Sequence, residues 1–237
     1  MKILSFDSTA KAASVAVLED ERVLAEYSVD NGLTQSELLL PMAESMLSAL
    51  KLSFSDIELY AASTGPGSFT GVRIGASLVK GLAFDRGVPC VSVSTLEALA
   101  ENLTGLSGII LPCMDARRGQ VYNAVFSSDG EGVKRLTPDR AISLTELREE
   151  LRLYEDKDIY ISGDGYEVAK EALTELGVKI CNTPKLLISE NAASVARVAY
   201  RKYKLGEYVT DSEIQPSYLR LPQAERERLE RLSQKND

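Results

Sequence analysis

A two-lobed α/β protein, built from a βββαβαβα unit used twice in tandem, is what this sequence predicts. Three observations carry that expectation. Short β-prone runs alternate with helical stretches in the same order in both halves. Each half opens on an apolar strand that ends in aspartate, ILSFD at 3–7 and IILPCMD at 109–115. Three boxes of Ser or Thr followed three residues later by Glu mark helix starts, at Thr34 and Glu37, Ser94 and Glu97, and Ser143 and Glu146.

In the first half, residues 3–7, 14–18 and 22–27 are short β-prone runs between tight turns, which predicts three antiparallel strands. A helix follows from Thr34 to about Lys51, interrupted and kinked by Pro41. Residues 59–63 read as a buried strand. A glycine-rich turn leads into a second helix from about Thr70 to Arg86, with Gly87 and Pro89 as stop signals. Val91 and Val93 mark a further strand, and the box at Ser94 opens a third helix. The second half repeats the pattern: strands at 109–115, 119–126 and near Val133, a helix from Ser143 to about Leu153, a strand at 159–161, a turn at Gly163 and Gly165, and a helix from Tyr166 to Leu176. A last long helix spans about Glu190 to Lys204. The expected organisation is a lobe at 1–103, joined by the helix at 190–204, a second lobe at 104–188, and a tail at 205–237. The tail's end, QAERERLER, alternates charge at helical spacing, as a solvated helix or frayed end does. Two such units in tandem are the architecture of the actin/hexokinase/heat-shock-ATPase superfamily, which is RNase H-like.

Composition narrows the function classes. The 237 residues are 44% hydrophobic and 26% charged, as in a globular protein. No apolar run reaches the ~20 residues of a membrane helix. The start, MKILSFDST, meets Asp7 too early to hold a signal-peptide core, so a cytoplasmic location is expected. The net charge of −8 lacks the basic footprint of a protein that grips RNA alone. Cys90, Cys113 and Cys181 are too scattered for a disulfide framework, and the first two read as small core residues. The sequence has no histidine. That removes Ser-His-Asp and Cys-His catalysis and every histidine metal ligand.

Four places are candidates for chemistry. The hairpin after the first strand, with Asp7, Ser8 and Thr9, sits where this fold grips nucleotide phosphates. Residues 7–13 contain no glycine, and backbone amides need glycine to approach phosphate closely. The missing glycine favours a plain turn, tied down by Asp7 through local hydrogen bonds. Asp115, with Arg117 and Arg118, is the counterpart expected to face Asp7 across the cleft. Two acids there would suit Mg²⁺ held through water. An ion pair between Asp115 and its arginines is the preferred alternative, and a relic site touching a partner's ligand or loop lies between the two. The segment STGPGSFTGVRIG at 63–75 is either an anion site at a helix N-terminus or a tight turn capped by Ser68 or Thr70. It lacks the P-loop pattern. SGDG at 162–165 falls where such folds hold adenosine, although two glycines before a helix serve many purposes.

Taken together, these segments are more specific than any one of them. ILSFDSTAKAASVAV, LTQSELLLP, STGPGSFTGVRIG, VSVSTLEALA, MDARRGQVY and PSYLR resemble the TsaB (YeaZ) family, in the family's order, from about Lys2 to Arg220. STGPGSFTGVRIG carries the most weight. The resemblance implies a non-catalytic partner and activator of the paralogue TsaD in making threonylcarbamoyladenosine, at position 37 of tRNA, alongside the small ATPase TsaE. TsaD carries a metal-binding HxxxH and performs the transfer. No such motif exists here, so no metal and no intrinsic cofactor are expected, ATP being used by the partner subunits. Many relatives have histidine where Gln35 stands, so any role of that histidine does not apply.

The helix surfaces also suggest a partner. Apolar residues on the helix from Thr34 spread over roughly 200° of arc, where one core-facing stripe needs about 100°. The next helix is nearly as wide, and Gly71, Gly75, Ala76 and Ala83 would allow close approach. The expected partner face comprises Ser36, Leu39, Leu40, Ala43, Met46, Leu47 and Leu50 with Val72, Arg73, Ala76, Val79, Lys80 and Ala83. In the family this helix pair meets TsaD, or a second TsaB when TsaD is absent. The competing functions are an independent ATPase or small-molecule kinase, disfavoured by the glycine-free hairpin, and a peptidase, disfavoured by the lack of histidine.

Overall fold

The computed structural model describes residues 1–220. Strands β1 (Lys2–Asp7), β2 (Ala13–Glu19), β3 (Arg22–Val29), β4 (Leu59–Gly65) and β5 (Cys90–Ser94) form one sheet in the order β3-β2-β1-β4-β5. The first three strands are antiparallel, and β1, β4 and β5 run parallel. Parallel strands need crossover helices, and α1 (Gln35–Ala49) and α2 (Phe69–Ala83) supply them. Both pack on one face through Leu39, Ala43, Met46, Val79 and Ala83. The other face is covered by α6 (Ala192–Lys204) through Ala192, Val195, Ala196 and Ala199. Cover on both faces explains why β1, β2 and β4 are apolar without alternation.

The second sheet contains β6 (Ser107–Arg117), β7 (Gln120–Asn123), β8 (Phe126–Asp129), β9 (Val133–Arg135) and β10 (Arg140–Ser143) in the order β10-β7-β6-β8-β9, with β11 (Ile159–Ser162) parallel to β6. Helices α4 (Leu144–Leu151) and α5 (Tyr166–Glu175) pack on one face. The short α3 (Thr95–Glu101) covers the other with Leu96, Leu99 and Ala100. So α3, which follows the first sheet in sequence, packs on the second while its Ala98 stays against α6 and the first, and α6, which follows the second, packs on the first. The α6 N-terminus is fixed there by its own backbone: the Ala192 amide donates to Ser14 Oγ at 3.0 Å, and the Ala193 amide to Glu26 at 3.0 Å.

The second half departs from the expected element order. The run at 119–126 is two strands, because it passes from β10 on one side of β6 to β9 on the other. β10 is absent from the sequence expectation, since four residues between polar neighbours carry no clear alternation. No strand between α5 and α6 corresponds to β5. The second helix stops at Ala83, three residues early. Asp85 has a positive φ of 55°, and Arg86 turns back to donate to the Tyr60 hydroxyl at 2.8 Å. The α1 helix runs through Pro41 without ending there. The box forms in full at Ser143; at Thr34 the Glu37 side chain accepts from the Thr34 amide while the Glu37 amide donates to the Thr34 carbonyl, and Ser94 caps the Glu97 amide at 3.2 Å. Cys90 and Cys113 are buried, which pushes their thiols up to about 11 and about 12. Beyond α6 the chain returns to the first sheet, where Val209 bridges Cys90 and Ile214 enters the core. The charge-alternating helix expected at 223–231 lies outside the described residues. Among the described residues, no helix is long and apolar enough to cross a membrane.

Candidate functional site

A cleft of about 560 Å³ separates the two sheets. Thr9, Ala10 and Lys11 of the β1–β2 hairpin line one side with Gly67 and Phe69; Asp115, Arg117, Tyr122 and Asp164 line the other. Asp7 lies beneath this surface, 1% exposed. Its carboxylate accepts from the Thr9 amide at 2.9 Å, the Thr9 hydroxyl at 2.8 Å and the Ser63 hydroxyl at 2.5 Å. Burial pushes its pKa up, and these hydrogen bonds pull it down. Ser8 is equally committed, donating to the Gly71 carbonyl at 2.9 Å. The hairpin is therefore the plain turn that its lack of glycine favours.

The arrangement of Asp115 corrects two expectations. It lines the cleft and is exposed, whereas Asp7 is buried and does not, so they do not form a facing pair. Nor does Asp115 make an ion pair with Arg117 or Arg118. Its Oδ1 accepts from the Arg117 backbone amide at 2.7 Å. Arg117, Arg118 and Gly119 all have positive φ, so the chain turns sharply directly after Asp115.

The glycine-rich segment is also settled by contact. Ser68 caps α2, its Oγ accepting from the Gly71 amide at 3.2 Å. The Ser68 amide donates to the Thr9 carbonyl at 2.7 Å. A Cβ at Gly71 would lie 1.8 Å from the Ser8 carbonyl oxygen. The glycines let α2 press its first turn onto the β1–β2 hairpin, and the Ser68 and Gly71 amides are used in that clasp. Gln35 adds a tie, donating from Nε2 to the Ala10 carbonyl at 3.0 Å.

Beside residues 162–165 the structure brings in Glu190, which the sequence reading gives only as the start of the last helix. Gly163 has φ 97° and packs against the Cys113 carbonyl, turning Asp164 toward the cleft. Asp164 Oδ1 accepts from the Asp115 amide at 3.0 Å, and the Asp164 amide donates to Glu190 Oε1 at 3.2 Å. Glu190 precedes the α6 cap and is buried. Burial first, then the carboxylates of Asp7 and Asp164, push its pKa up to about 8. A lone acid before an Asn cap carries no sequence signal for such a role.

The partner face expected on α1 and α2 is mostly core. Leu39, Ala43, Met46, Leu47, Val72, Ala76, Val79 and Ala83 are buried within the chain itself. Their wide arc is accounted for because α1 and α2 pack against each other as well as on the sheet. Ser36, Leu40, Arg73 and Lys80 remain exposed, with Leu50 half-buried. Between the helices lies a shallow groove lined by Ser36, Leu39, Leu40, Thr70, Arg73, Ile74, Ser77 and Leu78.

Fold and site together define a two-lobed protein of the actin/hexokinase class whose first hairpin is tied down by Asp7. The protein-family model described as "TsaD: tRNA N6-adenosine threonylcarbamoyltransferase" matches residues 34–228. The protein is 33% identical to the tRNA threonylcarbamoyladenosine biosynthesis protein TsaB of Bacillus subtilis over 180 residues, 76% of this chain and 78% of that one. It is 30% identical to TsaB of Escherichia coli over 93% of this chain and 95% of that one. The solved structure of YeaZ from Pseudomonas aeruginosa shares the fold, with a TM-score of 0.73 at 24% identity over 92% of this chain and 99% of that one. The chain belongs to the TsaB (YeaZ) family.

Proposed function

We propose that this protein is a cytoplasmic, non-catalytic subunit in threonylcarbamoyladenosine modification of tRNA. It activates a TsaD-like paralogue that performs the transfer, with a TsaE-like ATPase as third component. It pairs with the TsaD-like chain, or with a second copy of itself, through the exposed rim of α1 and α2. It holds no metal or nucleotide of its own, the ATP being used by its partners. The relatives' names supply the pathway. The observation that carries the non-catalytic part is Asp7, whose carboxylate is buried beneath Thr9 and accepts three hydrogen bonds from its own chain. A carboxylate so buried is not among the groups that line the cleft, where a metal ion would have to meet it.

Leu40→Glu tests the role. Leu40 is 37% exposed and lines the groove, so the change leaves the isolated fold within about 0.5 kcal/mol of its stability. Against a seated partner it buries an unpaired charge. The expected result is an unchanged melting temperature, a loss of dimer by light scattering, and loss of modification activity reconstituted with TsaD-like and TsaE-like partners. Retained association and activity would place the interface elsewhere. Modification activity that needs no copy of this chain would remove the role itself.

A further inference from the structure

PSYLR at 216–220 is used by none of the site described so far. Its start is fixed to the first sheet, the Ser217 amide donating to the Thr64 carbonyl at 2.7 Å. Tyr218 stacks on Phe69 with ring centroids 4.8 Å apart. Arg73 Nε donates to the Tyr218 hydroxyl at 2.7 Å, and its guanidinium lies 3.8 Å over the Phe69 ring. Two residues on, the chain reaches the second sheet. Arg220 Nη1 donates to the Ala116 carbonyl at 3.1 Å, Nη2 donates to Gln120 Oε1, and the guanidinium faces the Tyr122 ring at 5.6 Å. Phe69, Tyr122, Tyr218 and Arg220 are all walls of the cleft. The segment thus joins the cleft's two sides, separately from the covalent connection through α3.

We propose that residues 216–220 are a strap holding the two lobes at one opening, and that Arg73 is its anchor in the first lobe. Each end is held by an arginine, whose planar fork makes a hydrogen bond and a ring contact together. Arg73 also lines the groove between α1 and α2. Whatever seats in that groove meets the guanidinium that holds Tyr218, so groove occupancy and cleft opening are linked, each biasing the other equally. Only the identity of the occupant rests on the function proposed above; the strap does not.

Hydrogen exchange read by mass spectrometry on the full chain tests this without a partner. Arg220→Ala, Tyr218→Ala and Arg73→Ala are each expected to speed exchange across the β6–β7 turn, residues 115–121, roughly tenfold or more, the effect of losing one charge-assisted hydrogen bond. The protection of β1 and β4 stays unchanged. Tyr218→Phe, which keeps the ring and loses the Arg73 bond, gives a smaller rise. Arg73→Ala discriminates best, because the Arg73 contacts are with Phe69 and Tyr218 in its own lobe. Combined with Tyr218→Ala it adds nothing further, as expected of two links in one chain. Light scattering alongside separates a change of assembly from a change of opening. Unchanged exchange at 115–121 in Arg73→Ala, or effects that simply add, would overturn the proposal. So would a uniform rise in both sheets with a lower melting temperature, which would make the segment ordinary core.

Discussion

Glu190 is a residue at which burial acts directly on titration. Its carboxylate is buried beside Asp7 and Asp164, which holds its pKa near 8 against an ordinary value of 4.5. Between those values the unfolded chain has released the proton and the folded chain still holds it. Stability therefore falls as pH rises from about 4.5 to about 8, and is flat on this account above and below that window. Glu190→Gln keeps the acceptor for the Asp164 amide and removes the titration. The expected outcome is a gain at pH 8 on the order of 3 kcal/mol, with little change at pH 4.5. Urea melts across that range check it; a variant that tracks the parent at every pH would mean that the carboxyl titrates normally.

Among the elements, α2 shows how a sequence pattern becomes a contact. Its first turn lies against the Ser8 carbonyl, so Gly71→Ala forces backbone apart and is expected to cost ~3 kcal/mol or more. Gly81 sits in the same helix with nothing within 4 Å of a built Cβ. There Gly→Ala is expected to stabilise by about 0.5–1 kcal/mol, through helix propensity alone. Thermal melts of the two variants give opposite signs if contact decides the first and propensity the second. The glycine spacing in STGPGSFTGVRIG was legible. Whether it served an anion or a hairpin was not, because only the fold brings Ser8, sixty-three residues upstream, onto Gly71. The same holds for α1 and α2. Their apolar width was legible, but Ala43 and Ala76, at 0% and 3% exposure, face neighbours within the chain.

At the scale of the whole molecule, charge leads to a further expectation. The chain carries 35 acidic and 27 basic side chains. Alone it should bind tRNA weakly, because phosphate contacts supply most of such affinity and a negative surface opposes them. Filter binding at physiological salt should give nothing tighter than the micromolar range; sub-micromolar retention would mean that a local basic surface outweighs the total charge.

The features legible along the chain are local or additive. Strand and helix periodicity, capping boxes, a strand–Asp motif used twice, the absence of histidine and a glycine-free hairpin all act within a few residues or as totals. They were enough for the fold class, the first five strands and the hairpin tied down by Asp7. Tertiary structure alone decided which surfaces are core, that α3 reaches onto the second sheet, that Asp115 meets a backbone amide rather than its arginines, and that Glu190 and residues 216–220 converge on the cleft. The reason is physical. Burial and pKa depend on groups brought within a few ångströms from distant parts of the chain, such as Arg220 against Ala116 or Tyr218 against Phe69, and no periodicity along the chain encodes those separations.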